Sequence, residues 1–282
     1  MKKILAVTLL ALLGTGCATS TSYTYQDHRS EAFNIARAGG LREDIRDTEV
    51  PADSIGSVTE TMLKVGFIGS GYMKPVLGMS NWQTMGLNVV AETAGLASHG
   101  QRNSIMAWMP ESAESSPESA QKALVSHMKT GIQTALDGMG ATHEVILEQD
   151  LRPGIEVTIL FVNDSWNCPK WAPGQLSSTC RAQFRIQRPT LKTAPSFVTS
   201  SDEQHYSFES DHKRHYNRMN LLISDQSSVP QDELYATISK NLPEWVYLYL
   251  APGKVINEAS QPVDFPYILN QGEAKLFVIP EQ

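Results

Sequence analysis

The sequence has few of the features that would assign it a chemistry. Its 282 residues include only three cysteines, an odd number, and the formal net charge is −7. A mild acidic excess argues against a broad nucleic-acid-binding face, which needs clustered Lys and Arg. The hydrolase motifs Gly-x-Ser-x-Gly and His-Glu-x-x-His are also absent from the sequence. Composition alone therefore indicates an ordinary globular protein.

The chain also lacks a hydrophobic run long enough to span a membrane at its start. Met1-Lys2-Lys3 precedes an apolar run of ten residues, 4–13, which ends at Gly14-Thr15-Gly16-Cys17. A transmembrane helix needs about 20 apolar residues. A basic start, a short apolar core and a small-residue exit are typical of a secretory signal peptide.

The cysteine directly after Gly16 resembles the lipobox of bacterial lipoproteins. The resemblance implies that Cys17 becomes the mature N-terminus and carries palmitate and other acyl chains, and several chains together hold a protein durably on a membrane. Ala18, rather than Asp, at the next position implies the outer membrane, with the body facing the periplasm. A plain periplasmic protein, cleaved after Gly16 or Ala18, is the alternative.

These features predict three segments. Residues 1–16 form a signal peptide, residues 17–27 a polar lipidated tether, and residues 28–282 one globular domain. Removal of Lys2 and Lys3 with the signal changes the net charge from −7 to −9. Because an anionic membrane surface repels such a body, we expect membrane attachment through the lipid and not through a basic patch.

Hydrophobic periodicity predicts an α+β fold, a single domain with a largely antiparallel sheet covered by helices. Helical spacing and capping signals predict helices over residues 28–38, 116–139 and 230–241. Alternating or short apolar runs predict strands over residues 104–109, 155–163, 181–188, 245–250 and 275–279, with a further strand beginning at 145–147. The clearest alternation lies in 181–188, where apolar Ala182, Phe184 and Ile186 oppose polar Arg181, Gln183, Arg185 and Gln187.

The two remaining cysteines, Cys168 and Cys180, lie between the two clearest strands. An oxidising compartment would let them pair, so we expect a disulfide that closes a loop of about a dozen residues. Two unpaired thiols are the alternative. The loop region contains Trp166 and Trp171, which we take as candidate partner-binding residues because Trp is enriched at binding hot spots. The alternative is that both indoles fold back on the sheet.

Two unusual segments remain. Residues 62–97 are apolar but rich in glycine, which indicates either a loop and a short helix packed on the core or a segment that docks on a membrane or partner. Residues 200–218 contain His205, His212 and His215 among acidic and basic residues. They favour a solvated loop over a metal site, because Lys213, Arg214 and Arg218 would repel a cation.

We therefore expect a non-enzymatic outer-membrane lipoprotein that binds a protein partner or an envelope component. We expect no cofactor, no metal and no nucleic acid. The alternatives are an envelope hydrolase with dispersed catalytic residues and a periplasmic carrier of small ligands.

Overall fold

The structure is a computed structural model that describes residues 23–50, 98–170, 179–200, 203–212, 216–223, 226–252 and 266–281. The predicted signal peptide, Cys17, the glycine-rich segment 62–97, Trp171 and His215 lie outside these residues. Within the described residues, no helix is long and apolar enough to cross a membrane.

Three α-helices form where the sequence places helical spacing. They are α1 (Glu31–Ala38), α2 (Pro117–Gly138) and α3 (Gln231–Lys240). The Ser116 side chain caps α2 by accepting a hydrogen bond from the Ser119 backbone N–H, and the Ser119 side chain reciprocates. Gly140, with a positive φ of 74°, follows its end. The three predicted helices are therefore confirmed, with ends that differ by no more than three residues.

Twelve strands are present in the described residues, against a predicted count of about five. They are β1 (Thr48–Val50), β2 (Ser104–Pro110), β3 (Thr142–Leu151), β4 (Gly154–Val162), β5 (Cys180–Gln187), β6 (Thr190–Thr193), β7 (Gln204–Phe208), β8 (Arg218–Leu222), β9 (Val246–Leu250), β10 (Tyr267–Asn270), β11 (Glu273–Leu276) and β12 (Val278–Pro280).

The strands form two larger sheets and one small pair. A six-stranded sheet has the order β11-β10-β9-β2-β7-β6, and a four-stranded sheet has the order β3-β4-β5-β8. Every pairing within both sheets is antiparallel, whereas β1 pairs with β12 in parallel. The α+β class with largely antiparallel sheets is confirmed.

One hydrophobic core joins both sheets to α2 and α3. Helix α2 packs on β3, β4 and β5, helix α3 packs on β9, β10 and β11, and the two helices contact each other. The sheets adjoin where the Ile105 backbone N–H donates to the Asn217 carbonyl at 3.0 Å. Because side chains alternate along a strand, every second residue of β2 faces this core. These residues are Ile105, Ala107 and Met109.

The opposite face of the six-stranded sheet packs on α1. Met106, Trp108 and Tyr249 belong to a second buried cluster with Phe33 and Ile35 of that helix. Burial on both faces explains why β2 and β9 read as continuous apolar runs rather than as alternating ones.

The body begins earlier than the predicted boundary at residue 28. The ring of Tyr25 packs edge-on against Phe197 with the ring centroids 5.1 Å apart. The Gln26 backbone N–H donates to the Asn34 side chain at 2.8 Å. Residues 23–27 of the predicted tether are thus in contact with the domain.

The prediction of a solvated loop over residues 200–218 is wrong for most of its described part. Residues 204–208 form β7, which lies between β2 and β6, and His205 is fully buried. The polar composition of this segment predicted a loop. A strand that is short and buried on both faces has no alternation of polar and apolar residues by which it could be predicted.

Candidate functional site

The disulfide predicted between Cys168 and Cys180 is present. Both cysteines are fully buried, and Cys180 is the first residue of β5. The bond ties the start of β5 to the turn that follows β4. It therefore fixes both ends of the segment between the cysteines, whose residues 171–178 lie outside the described part.

The turn before Cys168 is fixed by a second set of bonds. Asn163 and Cys168 exchange two backbone hydrogen bonds, at 3.0 and 3.2 Å. The Ser228 backbone N–H donates to the Trp166 carbonyl at 2.8 Å, and the Ser227 hydroxyl donates to the Asn167 carbonyl at 3.1 Å. These bonds hold the turn of residues 163–168 in place at this end of the four-stranded sheet, and we call this turn the platform.

Trp166 is half-buried at this platform. Its indole meets the ring of Phe161 edge-on, with centroids 6.2 Å apart, and packs against the main core. The structure thus places much of this side chain against the sheet, and its role in partner binding stays a prediction. Trp171, the other candidate, and the lipidation candidate Cys17 lie outside the described residues.

The outer face of the four-stranded sheet carries a polar network. The alternation predicted for β5 is confirmed, because Ala182, Phe184 and Ile186 are fully buried in the core on one face. On the other face, Arg185 lies directly between Glu156 of β4 and Arg218 of β8 in the strand register.

Glu156 is the shared acceptor of this network. Its Oε2 accepts from Arg218 Nη2 at 3.0 Å and lies 3.8 Å from Arg185 Nη1. Its Oε1 accepts from the Gln183 amide at 2.9 Å. Only 12% of the Glu156 side chain is exposed, against 15% for Arg185 and 21% for Arg218. Two guanidinium groups therefore share one carboxylate that is mostly buried.

Gly154 leaves space for the side chains of Gln187 and Arg185 at one end of this network. A Cβ at Gly154 would lie 2.6 Å from Gln187 Nε2 and 2.7 Å from Arg185 Nε, closer than atoms can approach. Gln187 is only 9% exposed, and neither atom of its amide group has a hydrogen-bond partner among the described residues. We name the surface formed by Gly154, Glu156, Arg185, Gln187 and Arg218 the arginine face.

The two described histidines of the polar stretch, His205 and His212, are not part of a metal site. His205 is buried in β7, and neither of its ring nitrogens has a hydrogen-bond partner in the part of the chain that the structure describes. His212 is exposed. Across the ranges that the structure describes, no group of three His, Cys, Asp or Glu side chains could hold a metal ion.

Sequence reasoning missed His99, which is 4% exposed beside the start of β2. Its Nδ1 accepts the backbone N–H of Arg42 at 2.8 Å. Burial, and secondarily the guanidinium of Arg102, lower the pKa of His99. A neutral imidazole therefore anchors the segment after α1, and no local sequence pattern signals this contact across 57 residues.

Comparison with known proteins adds no assignment. No protein-family model matches the chain, and neither a curated protein nor a solved structure matches it.

Proposed function

We propose that this protein is a non-enzymatic lipoprotein of the outer membrane, anchored through Cys17 and facing the periplasm, that binds a protein partner or an envelope component. The observation that carries the proposal is the buried Cys168–Cys180 disulfide, whose two cysteines flank Trp171 in the sequence. A disulfide supports export, because such bonds persist in oxidising compartments and are rare in the cytosol.

The anchor would keep the body near the membrane. Tyr23, the first described residue, already packs on the body, since its hydroxyl bonds to Asn34 and its ring meets Phe197. Six residue steps from Cys17 to Tyr23 reach at most about 20 Å when extended. The start of the body would consequently lie within about 20 Å of the lipid surface.

The platform at the disulfide supports the contact region. Binding by a flexible loop loses conformational entropy, and a loop fixed at both ends loses less of it. Here the disulfide fixes the ends, and the bonds from Ser227 and Ser228 fix the turn that carries Trp166. We infer that the loop between the cysteines presents Trp171, with the exposed part of Trp166, to the partner.

Site-directed photo-crosslinking in intact cells tests this proposal. A photoreactive phenylalanine analogue is placed at Trp171 in one strain and at Lys122, an exposed position of α2, in a control strain. We expect one dominant crosslinked envelope component from position 171 and none from position 122. Equal yields at both positions, or no product at position 171, would contradict the assigned contact region.

A further inference from the structure

The arginine face contains a charge arrangement that folding alone does not favour. Arg185 and Arg218 are direct cross-strand partners of β5 and β8. Like charges at directly opposed positions of an antiparallel pair destabilise it. Glu156 neutralises one of the two guanidinium groups, so the cluster keeps one net positive charge on a chain whose formal net charge is −7.

Most hydrogen-bond donors of this cluster are unused. Each guanidinium has five N–H donors. Within the described part of the chain, Arg185 donates one hydrogen bond, to the Leu151 carbonyl at 2.9 Å, and Arg218 donates one, to Glu156. In the same described part, the Nε atoms of both arginines and the amide of Gln187 have no hydrogen-bond partner. Buried polar groups without partners are uncommon in folded proteins, and a bound ligand is one explanation for them.

We propose that the arginine face binds a single oxyanion group, a carboxylate or a phosphate, between Arg185 and Arg218. The planar guanidinium matches both groups because two parallel N–H donors can meet two oxygens. The side chains of both arginines are mostly shielded from water, which strengthens their attraction for an anion. Gln187, which is 91% buried beside Gly154, provides a neutral hydrogen-bond donor at that end of the arginine face. This inference does not depend on the lipid anchor or on the loop that contains Trp171.

Ligand-induced thermal stabilisation tests the proposal on the purified protein in detergent. Sodium phosphate and sodium acetate are each titrated against sodium chloride at the same ionic strength, so that charge screening is equal. The general stabilisation by excluded anions such as phosphate is the same in the wild type and in the variants below, and the comparison between them removes it. A ligand that binds only the folded state raises the melting temperature as its concentration exceeds Kd. We expect phosphate, acetate or both to raise the melting temperature of the wild-type protein more than chloride does, and the stronger of the two identifies the preferred oxyanion.

Three variants locate the effect. Arg218→Gln removes one guanidinium, and we expect it to weaken the anion response by about tenfold or more in Kd, as loss of a charged hydrogen bond does. Arg218→Lys keeps the positive charge but loses the paired N–H donors of the guanidinium, so we expect an intermediate response. Arg152→Gln removes the same charge from a side chain that is 92% exposed, and its response should equal that of the wild type.

Two results would overturn the inference. The first is a wild-type response to phosphate and acetate no larger than the response to chloride. The second is an equal loss of response in Arg152→Gln and Arg218→Gln, which would show a dependence on net charge alone. If Arg218→Gln does not fold, the comparison of Arg218→Lys with the wild type decides between the same outcomes.

Discussion

The sulfur atoms of Cys168 and Cys180 are bonded to each other in a fully buried setting at the junction of β4 and β5. The two residues are 12 positions apart in the sequence. In the chain-entropy model, closing a loop of this size stabilises the fold by about 3 kcal/mol. We therefore expect Cys168→Ala with Cys180→Ala to lower the free energy of unfolding by about that amount in urea denaturation.

Reduced wild-type protein is the matched control for this double variant. Reduction should lower the free energy of unfolding of the wild type and leave that of the variant unchanged. Alkylation of both cysteines in the native, unreduced protein would contradict the bond.

His99 and His205 are both buried but differ in their hydrogen bonds. His99 Nδ1 accepts from the Arg42 backbone N–H, whereas His205 has no hydrogen-bond partner among the described residues. An unpartnered buried polar group costs about 1–3 kcal/mol, which an apolar replacement of similar size removes. We expect His205→Leu to leave the free energy of unfolding unchanged or to raise it.

His99→Leu is the matched comparison, since it should lower the free energy of unfolding by removing the acceptor of the Arg42 N–H. Denaturant titration at pH 7.5, where histidine is ordinarily neutral, compares the two variants. Equal destabilisation by both substitutions would show that His205 makes a stabilising hydrogen bond.

Asp232, in the first turn of α3, should make stability depend on pH. Burial raises the pKa of Asp232 from 3.8 to about 6. The folded state therefore binds more protons than the unfolded state between these values, so this residue favours folding in acid and loses that contribution as the pH rises through about 6. Asp232→Asn should raise the free energy of unfolding at pH 7 by about 1–3 kcal/mol and have little effect at pH 3.

Glu233→Gln, on the exposed neighbouring residue, controls for the lost negative charge at the start of α3. Its effect should be small and similar at both pH values. A pH-independent effect of Asp232→Asn would rule out the raised pKa as the cause.

The helices and strands that were predicted correctly can each be recognised from a pattern in their own residues. Helix α2 has a capping serine, a proline at its first position and apolar residues at helical spacing. Strands β4 and β5 alternate because one face of their sheet is polar. Strand β7 carries no such pattern, since His205 and Ser207 are buried along with Tyr206 and Phe208.

The arginine face depends on pairing between distant segments. The alternation of β5 places Arg185 and Gln187 on one face, and that much could be predicted. Arg218 joins Glu156 across 62 residues only because β8 pairs with β5. In β8, Arg218 and Asn220 alternate with the buried Met219 and Leu221, but this five-residue pattern does not show which strand β8 pairs with. The unmet donors of Gln187 likewise follow from tertiary packing over Gly154.

The central claim is that Cys17 carries the lipid that holds this protein on the outer membrane. Membrane fractionation with palmitate labelling, on the wild type and on Cys17→Ser, tests it most directly. We predict that the wild type labels and sediments with the outer membrane, whereas Cys17→Ser is unlabelled and does not co-fractionate with the outer membrane. Unchanged outer-membrane retention of Cys17→Ser, with undiminished label, would contradict the account.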